Sequence, residues 1–444
     1  MKGRETIFAL SSGQGPAGVA VIRLSGPATM RAIDRLQLGP LRPRTARLVR
    51  ITDPGSDDII DSALALFFPA PHSFTGEDVL ELHVHGGRAV VAAVLGALSH
   101  IDGLRLADAG EFTRRAFHHG KIDLTQAEGL AGLISAETEA QRQQAVRVAG
   151  GALKCLYERW RQDLIVSMAL VEAAIDFSDE ADVATDAVAQ AQLSAAALHS
   201  AITVHLNDQR RGEILRDGFR VVIAGPPNAG KSSLLNALAQ RDVAIVSPEP
   251  GTTRDVIEAR LDLGGYPVIV SDTAGIRSDP GGAVEREGIR RSFASSSEAD
   301  LILWLVDSEN PAARPPHELL GQGVEILCLR SKADLPSHVG HDGSSQGFSS
   351  LTGIGLPQLI QRLTVAAGSS MQAGAVPSLI TARQRLLVAE AASRLADFLA
   401  GPLKAPELRA EDLRRAAQAI GRLTGHVDVE DVLDQVFSAF CIGK

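Results

Sequence analysis

The sequence predicts a multidomain chain. It comprises an α+β N-terminal domain, a helical bundle, and an α/β domain with a mostly parallel sheet inserted into that bundle. Three observations predict it. Short β-like runs separated by glycine turns fill residues 1–118. Apolar residues recur at helical spacing from about 121 to 211 and again from about 378 to 440. Between those stretches, near-continuous apolar runs alternate with helical segments, the pattern of strands buried on both faces. A length of 444 residues fits roughly three domains. The expected divisions are 1–118, 119–215, 216–370 and 371–444, the second and fourth forming one helical domain.

Residues 18–24, 63–68 and 79–85 read as strands, and 89–100 as a helix. Residues 7–10 give only a short apolar run behind the acidic Glu5, which does not make a signal peptide. The longest apolar stretch, 89–98, is too short to span a bilayer. A soluble, cytoplasmic protein without a membrane association is expected. In the helical part, Leu164, Met168, Val171 and Ile175 follow i, i+4, i+7, i+11, one buried stripe of a long helix. Beyond the insertion, Leu386, Ala389 and Leu395 mark a helix, followed by helical stretches at 408–423 and 429–440. Inside it, strands are expected at 219–224, 268–271, 301–306 and 326–329, a helix at 233–238, and a loop at 338–350.

Forty-four basic against fifty-three acidic residues leave a net charge of −9. That excludes attachment to nucleic acid by bulk basic charge, though a local patch can still bind RNA. Cys155, Cys328 and Cys441 are too widely spaced for a disulfide framework or a zinc cluster, so a reducing compartment is the simplest reading.

Residues 225–232, Gly-Pro-Pro-Asn-Ala-Gly-Lys-Ser, fit the phosphate-binding loop G-x-x-x-x-G-K-[ST] between a predicted strand and helix. Glycines let backbone N–H groups wrap phosphates at the helix N-terminus. Lys231 reaches the terminal phosphates, and Ser232 offers a hydroxyl to Mg²⁺. Gly251-Thr252-Thr253-Arg254-Asp255 supplies a threonine, Thr253, to complete the Mg²⁺ shell when the γ-phosphate is present. Asp272-Thr273-Ala274-Gly275 ends a strand with a carboxylate for the metal's outer shell and a glycine N–H for the γ-phosphate. Ser331-Lys332-Ala333-Asp334 then takes the base-reading position. An aspartate there accepts hydrogen bonds from guanine N1–H and the 2-amino group, which adenine cannot offer. In that order, the motifs point to GTP and a Ras-like P-loop GTPase domain.

Three segments of this chain resemble the MnmE (TrmE) family of tRNA-modification GTPases: Asn228 to Asn236, the Gly251–Asp255 loop and the terminal Cys441-Ile442-Gly443-Lys444. The likeness extends to Val21-Ile22-Arg23-Leu24-Ser25-Gly26, to residues 73–82 (SFTGEDVLEL), to 110–117 (GEFTRRAF) and to 121–128 (KIDLTQAE). The resemblance implies a GTP-hydrolysing subunit that works with the FAD-containing partner MnmG. The complex adds an aminomethyl-type (carboxymethylaminomethyl) group to C5 of the wobble uridine of certain tRNAs. Its one-carbon unit comes from a tetrahydrofolate, as the 5-formyl or 5,10-methylene derivative. A homodimer formed through the N-terminal domains and a heterotetramer with the partner are implied too.

The resemblance assigns GTP binding to Asn228, Ala229, Gly230, Lys231, Ser232, Ser233, Ser247, Thr252, Thr253, Asp272, Thr273, Ala274 and Gly275. It adds Ser331, Lys332, Ala333, Asp334, Ser349, Ser350 and Leu351. Mg²⁺ falls to Ser232 and Thr253, and K⁺ to Asn228, Ser247, Glu249 and Thr252. Folate binding falls to Arg23, Glu81, Lys121 and Lys444, and the modification chemistry to Cys441. Physically, cations suit a glutamyl carboxylate, and Glu81 can pair with donors on a pterin ring. His83 and His85 share one side of a strand and are read as polar surface residues rather than half a metal site.

Two positions depart from the family pattern. Ser331 stands where asparagine is usual, and the loop at 278–282 is one residue longer, so the catalytic glutamate is Glu285 with Glu287 as the fallback. Ile276 replaces the water-orienting glutamine of Ras-like enzymes, so a charge other than an arginine finger must assist hydrolysis, and the K⁺ cage supplies it. The alternative function is a GTP-switched ribosome-assembly binding protein. The acidic balance and the Cys441–Lys444 tail speak against it.

Overall fold

The computed structural model describes residues 5–13, 15–176, 181–241, 243–245, 258–272, 299–307, 314–320, 323–335, 346–372, 377–401, 406–427, 433, 436–438 and 440–443. The chain forms two compact units. One comprises residues 1–131, 148–161 and 417–444, the other 132–147 and 162–416.

The first unit begins with β1 (Thr6–Leu10), β2 (Ala20–Ser25), α1 (Thr29–Arg35), β3 (Arg47–Thr52), β4 (Ile59–Phe68) and β5 (Val79–Val84). α2 (Arg88–Ser99), β6 (Leu104–Leu106) and α3 (Glu111–His118) complete this region. The strands form one sheet in the order β3-β4-β5-β2-β1-β6, antiparallel except for β1 against β6. Strand alternation sends Leu80, Leu82 and Val84 of β5 into the core and puts Glu81 and His83 on the opposite face. Ile22, Leu24, Ile51 and Leu82 pack in a core that includes Ile33 of α1 and Val94 and Leu98 of α2. The sequence did not reveal β1, because its apolar run, residues 7–10, is only four residues long, although Ile7, Phe8 and Ala9 are all buried.

Helices follow as α4 (Leu124–Ser135), α5 (Glu139–Ala149), α6 (Ala152–Asp176), α7 (Ala181–Leu206) and α8 (Arg211–Asp217). The buried stripe of α6 runs through Tyr157, Trp160, Leu164, Ser167, Val171 and Ala174. This corrects the predicted stripe, since Met168 and Ile175 lie at its margin, half-buried. A buried serine took a stripe position, donating to Asp163 O at 2.9 Å within its own helix.

The second sheet lies within the second unit. It is built from β7 (Phe219–Ala224), α9 (Lys231–Ala239), β8 (Glu258–Leu263), β9 (Tyr266–Asp272), β10 (Leu301–Val306), α10 (His317–Leu320), β11 (Glu325–Arg330), β12 (Gln346–Gly347) and α11 (Leu356–Met371). Strand order is β12-β11-β10-β7-β9-β8, parallel except for β8. Both faces are covered. Val221 and Ile223 pack with α9 and α11, while Val222 and Ala224 pack with Leu319 of α10. This is the expected mostly parallel α/β sheet.

α12 (Ala382–Ala400) and α13 (Pro406–Thr424) follow. The helix expected from Leu386, Ala389 and Leu395 is α12, whose buried face is Gln384, Val388, Ala391, Leu395 and Phe398, with Leu386, 72% exposed, and Ala389 outside it. Gln384 is the polar member of that face. Its Oε1 accepts from Ile380 N at 3.0 Å, and its backbone N–H donates to the capping Thr381 hydroxyl at 3.1 Å, which lets a polar residue lie buried. Of the predicted helix at 429–440, the structure describes 433 and 436–438 as helical, and 429–432, 434, 435 and 439 lie outside the described residues. Arg385 of α12 donates to Glu213 at 2.9 Å, to Asp208 at 2.7 Å and to Leu206 O at 2.8 Å, tying α12 to the segment that leads into β7.

His205, at the end of α7, is 4% exposed, and burial pushes its imidazole down to about 4. It is therefore neutral when folded and takes up a proton near pH 6.5 when unfolded. Stability should fall by up to about 3 kcal/mol as pH drops from 6.5 to 4. Urea unfolding of the parent and a His205→Leu variant across that range should show the variant losing about that much less, and parallel losses would refute the assignment.

Candidate functional site

The β7–α9 turn places the phosphate-loop residues. Gly225 has φ +151°, and a Cβ there would sit 2.4 Å from Leu305 O of β10, so only glycine lets the chain leave β7 so close to its neighbour. Asn228 lies in the left-handed region at φ 63°, which asparagine tolerates better than most residues. Ala229 is buried, Gly230 precedes α9, and Ser233 follows within its first turn. Lys231 Nζ donates to Gly225 O at 3.0 Å and Pro226 O at 2.9 Å, curling over its own loop. Burial lowers its ammonium below the ordinary lysine range, and the Asp272 charge opposes that shift. Ser232 Oγ donates to Asp272 Oδ2 at 2.6 Å. The two groups assigned to the inner and outer shells of one metal ion thus meet, a donor pair that suits Mg²⁺.

The base-reading loop follows β11. Ser331 N donates to Val306 O at 2.9 Å, and its hydroxyl reaches the same carbonyl at 3.3 Å. A Cβ on Gly230 would lie 3.6 Å from Ser331 Cβ, so this residue packs directly beside the phosphate loop. Lys332 Nζ pairs with Asp307 at 2.5 Å, and Asp334 is exposed. Ala333 N donates to Phe348 O at 3.0 Å, which brings Ser349, Ser350 and Leu351 alongside. Ser349 fixes that turn, its backbone N–H donating to Ile354 O at 2.8 Å and its hydroxyl accepting from Thr352 N at 3.1 Å. Leu351 projects with 89% of its surface exposed. The three segments from distant parts of the sequence therefore form one site. Ser247, Glu249, Thr252, Thr253, Thr273, Ala274, Gly275, Glu285 and Glu287 lie outside the described residues.

A second cluster occupies the N-terminal sheet. Arg23 of β2 and Glu81 of β5 are register partners, and Arg23 Nε and Nη2 donate to Glu81 Oε1 at 2.9 and 2.8 Å. The guanidinium also lies 5.7 Å from the Phe74 ring centroid and 5.8 Å from that of Phe112. Lys121 follows α3, where its Cε would lie 3.3 Å from a Cβ on Gly76. The tail reaches this sheet too. Ile442 bridges to Ala109, and Ser11 Oγ donates to Gly443 O at 2.7 Å. Gly443 has φ +97°, and a Cβ there would meet Leu10 O at 2.0 Å. Cys441 is exposed, and Lys444 lies outside the described residues.

With Phe112 buried, the exposed Phe74 ring, the Arg23 guanidinium and the Glu81 carboxylate make a surface for a planar, hydrogen-bonding ligand. The sequence reading missed Phe74, Phe112 and Ser11. Phe74 and Phe112 stand inside the SFTGED and GEFTRRAF runs, which were the available signal, whereas nothing local marks Ser11. His85 Nδ1 lies 2.8 Å from Asp61, and His83 Nε2 lies 3.7 Å from Glu81. Among the described residues no group of three or more His, Cys, Asp or Glu could hold a metal ion, and no helix is long and apolar enough to cross a membrane.

A family model described as the MnmE helical domain matches residues 124–441, and one for the N-terminus of the GTP-binding protein TrmE matches residues 6–121. The chain is 52% identical over 451 residues to a tRNA modification GTPase MnmE of Parvibaculum lavamentivorans, covering 99% of this chain and 100% of that protein. It is 49% identical over 466 residues to the MnmE of Rhodopseudomonas palustris, covering 99% of each. Among solved structures, the G domain of the T. maritima FeoB iron transporter aligns at 24% identity with a TM-score of 0.24, covering 33% of this chain and 98% of that one. That score is too low to carry an argument.

Asp334→Asn should weaken GTP binding and admit xanthosine triphosphate, because the amide presents an N–H to the xanthine carbonyl. Competition binding with GTP, ATP and XTP checks this, and unchanged GTP affinity removes Asp334 from the site.

Proposed function

Because the chain belongs to the MnmE family of tRNA modification GTPases, we propose that it is the GTP-hydrolysing subunit of a complex that modifies C5 of the wobble uridine. The complex would add an aminomethyl-type group, drawing a one-carbon unit from a 5-formyl- or 5,10-methylene-tetrahydrofolate. The observation that carries this reading is the seating of the Cys441–Gly443 tail on the sheet that bears the Arg23–Glu81 pair. A GTPase domain alone has no use for a glycine-locked tail beside a charged, aromatic surface.

In this reading Arg23, Lys121 and Lys444 hold the folate carboxylates, and Glu81 meets pterin donors. Cys441 stands at the modification site. The described nucleotide residues bind GTP together with Ser247, Thr252, Thr253, Thr273, Ala274 and Gly275. Ser232 and Thr253 would hold Mg²⁺, which neutralises phosphate charge when bound, with Asp272 in the outer shell. Asn228, Ser247, Glu249 and Thr252 would hold K⁺, and Glu285 would orient the attacking water. The protein would work as a homodimer, in a heterotetramer with MnmG, on tRNA in the cytoplasm.

The decisive experiment is mass spectrometry of wobble nucleosides from cells lacking this protein. Loss of the modified uridine is expected, and a normal nucleoside profile defeats the proposal. Removal of residues 441–444 should abolish the modification while leaving GTP hydrolysis intact. GTP turnover should rise strongly with K⁺ but not with Na⁺ at equal ionic strength. Asn228→Ala should erase that difference, and equal rates in both salts for the parent protein would rule out the K⁺ cage.

A further inference from the structure

Between Asp34 and Asp53 the chain carries no acidic residue, yet it holds Arg42, Arg44, Arg47 and Arg50. All four are exposed in a protein of net charge −9. They occupy the loop into β3 and β3 itself, which is the edge strand of the N-terminal sheet. Most arginines elsewhere with a defined partner meet carboxylates, as Arg23, Arg105, Arg115 and Arg385 do. These four meet none among the described residues.

Two of them are held instead by neutral groups. Arg44 donates to His72 O and lies 5.7 Å from the Phe68 ring centroid. Arg47 donates to Pro40 O at 2.5 Å. Their charge is thus positioned but not cancelled. Between Arg47 and Arg50, Leu48 is 70% exposed and pairs across the strands with the exposed Leu64. Arg50 shares the strand face of Leu48 and Arg47 takes the other, so uncompensated guanidinium forks flank the sheet edge on both sides beside a small apolar patch, which has the chemistry of a surface for a phosphodiester backbone. Charge on an edge strand also blocks strand addition, but that purpose does not require a single sign.

We propose that the β3 edge, through Arg42, Arg44, Arg47 and Arg50, is a docking surface for the phosphate backbone of tRNA. This rests on the reading that the chain acts on tRNA. The arginines would position the RNA without reading its bases, so binding would be strongly salt-dependent.

The test is fluorescence anisotropy of an unmodified tRNA transcript with the full chain, titrated across about 50 to 200 mM salt. Replacing all four arginines by glutamine should weaken binding at least tenfold at low salt. It should also lower the salt slope by roughly one for each lost phosphate contact. Arg42→Gln with Arg50→Gln removes only side chains that make no hydrogen bond to the described residues. This pair should give a smaller loss of the same kind, with circular dichroism and GTP hydrolysis unchanged, and arginine-to-lysine versions should retain binding. Parent-like tRNA affinity in both glutamine variants overturns the proposal. So does a parent protein with no salt-dependent tRNA binding. Retained tRNA binding with lost binding to phosphatidylglycerol vesicles also overturns it, since the surface would then serve a membrane. Wobble nucleosides separate the two readings. If cells lacking the protein lose the modified uridine while the variants bind tRNA normally, only the docking surface fails.

Discussion

A buried cation must be neutralised where it sits, and Arg115 is one, 7% exposed. Its Nη1 donates to Glu77 at 3.0 Å and to Ser25 O at 3.3 Å, and its Nη2 donates to Glu111 at 2.9 Å. Those partners come from the end of β2, the loop before β5 and the first turn of α3. Glu111 in turn takes Arg105, which reaches Glu5 at 3.0 Å. Burial raises the Glu111 carboxyl, but the hydrogen bonds from Arg105, the Asp108 backbone N–H and Arg115, with the Arg115 charge, outweigh it and hold the group below its ordinary range. Ser25 also donates to Glu77 at 2.6 Å and shares a 2.7 Å bond with Thr75, next to Phe74. The pose of Phe74 over Arg23 thus depends on an ion network a few residues away. Removing both carboxylates would leave the buried Arg115 charge unpaired, a loss of at least about 3–5 kcal/mol. The runs SFTGED and GEFTRRAF contain the two halves of this network.

On the nucleotide side the constraint is topological. β7, β10 and β11 are adjacent and parallel, so the loops at their C-terminal ends open on one edge of the sheet. That edge receives the phosphate loop after β7, Asp307 after β10 and Ser331–Asp334 after β11. Asp272 ends β9 beside β7, close enough for its carboxylate to accept from Ser232. The fold supplies this convergence without any special long-range contact. By contrast, Ser331 spends its hydroxyl on Val306 O, so it touches the phosphate loop by packing alone.

The acidic chain concentrates uncompensated positive charge along one strand edge, while Arg23, Arg105, Arg115 and Arg385 are tied into ion pairs. Net charge describes solubility and long-range steering, and surfaces for anions arise where acids are locally absent. The same economy appears at the tail, where a glycine and a serine, both uncharged, fix the position of the exposed Cys441.

The nucleotide motifs, the buried strands and the mixed class of the chain were legible in the sequence, because each is a local pattern fixed by spacing within a few residues. The phosphate loop needs its glycines next to its lysine, and a strand buried on both faces must be apolar throughout. Phases of individual helices were less legible. A buried serine on α6 and a buried glutamine on α12 satisfy their hydrogen bonds locally, so polarity no longer reports burial. β1 went unread because its apolar run, residues 7–10, is only four residues long. The tertiary structure alone decided that residues more than four hundred positions apart, Ser11 and Gly443, would bond. It alone also set Phe74 and Phe112 around Arg23. Such contacts depend on which backbones approach closely, and no local pattern of residues encodes that distance.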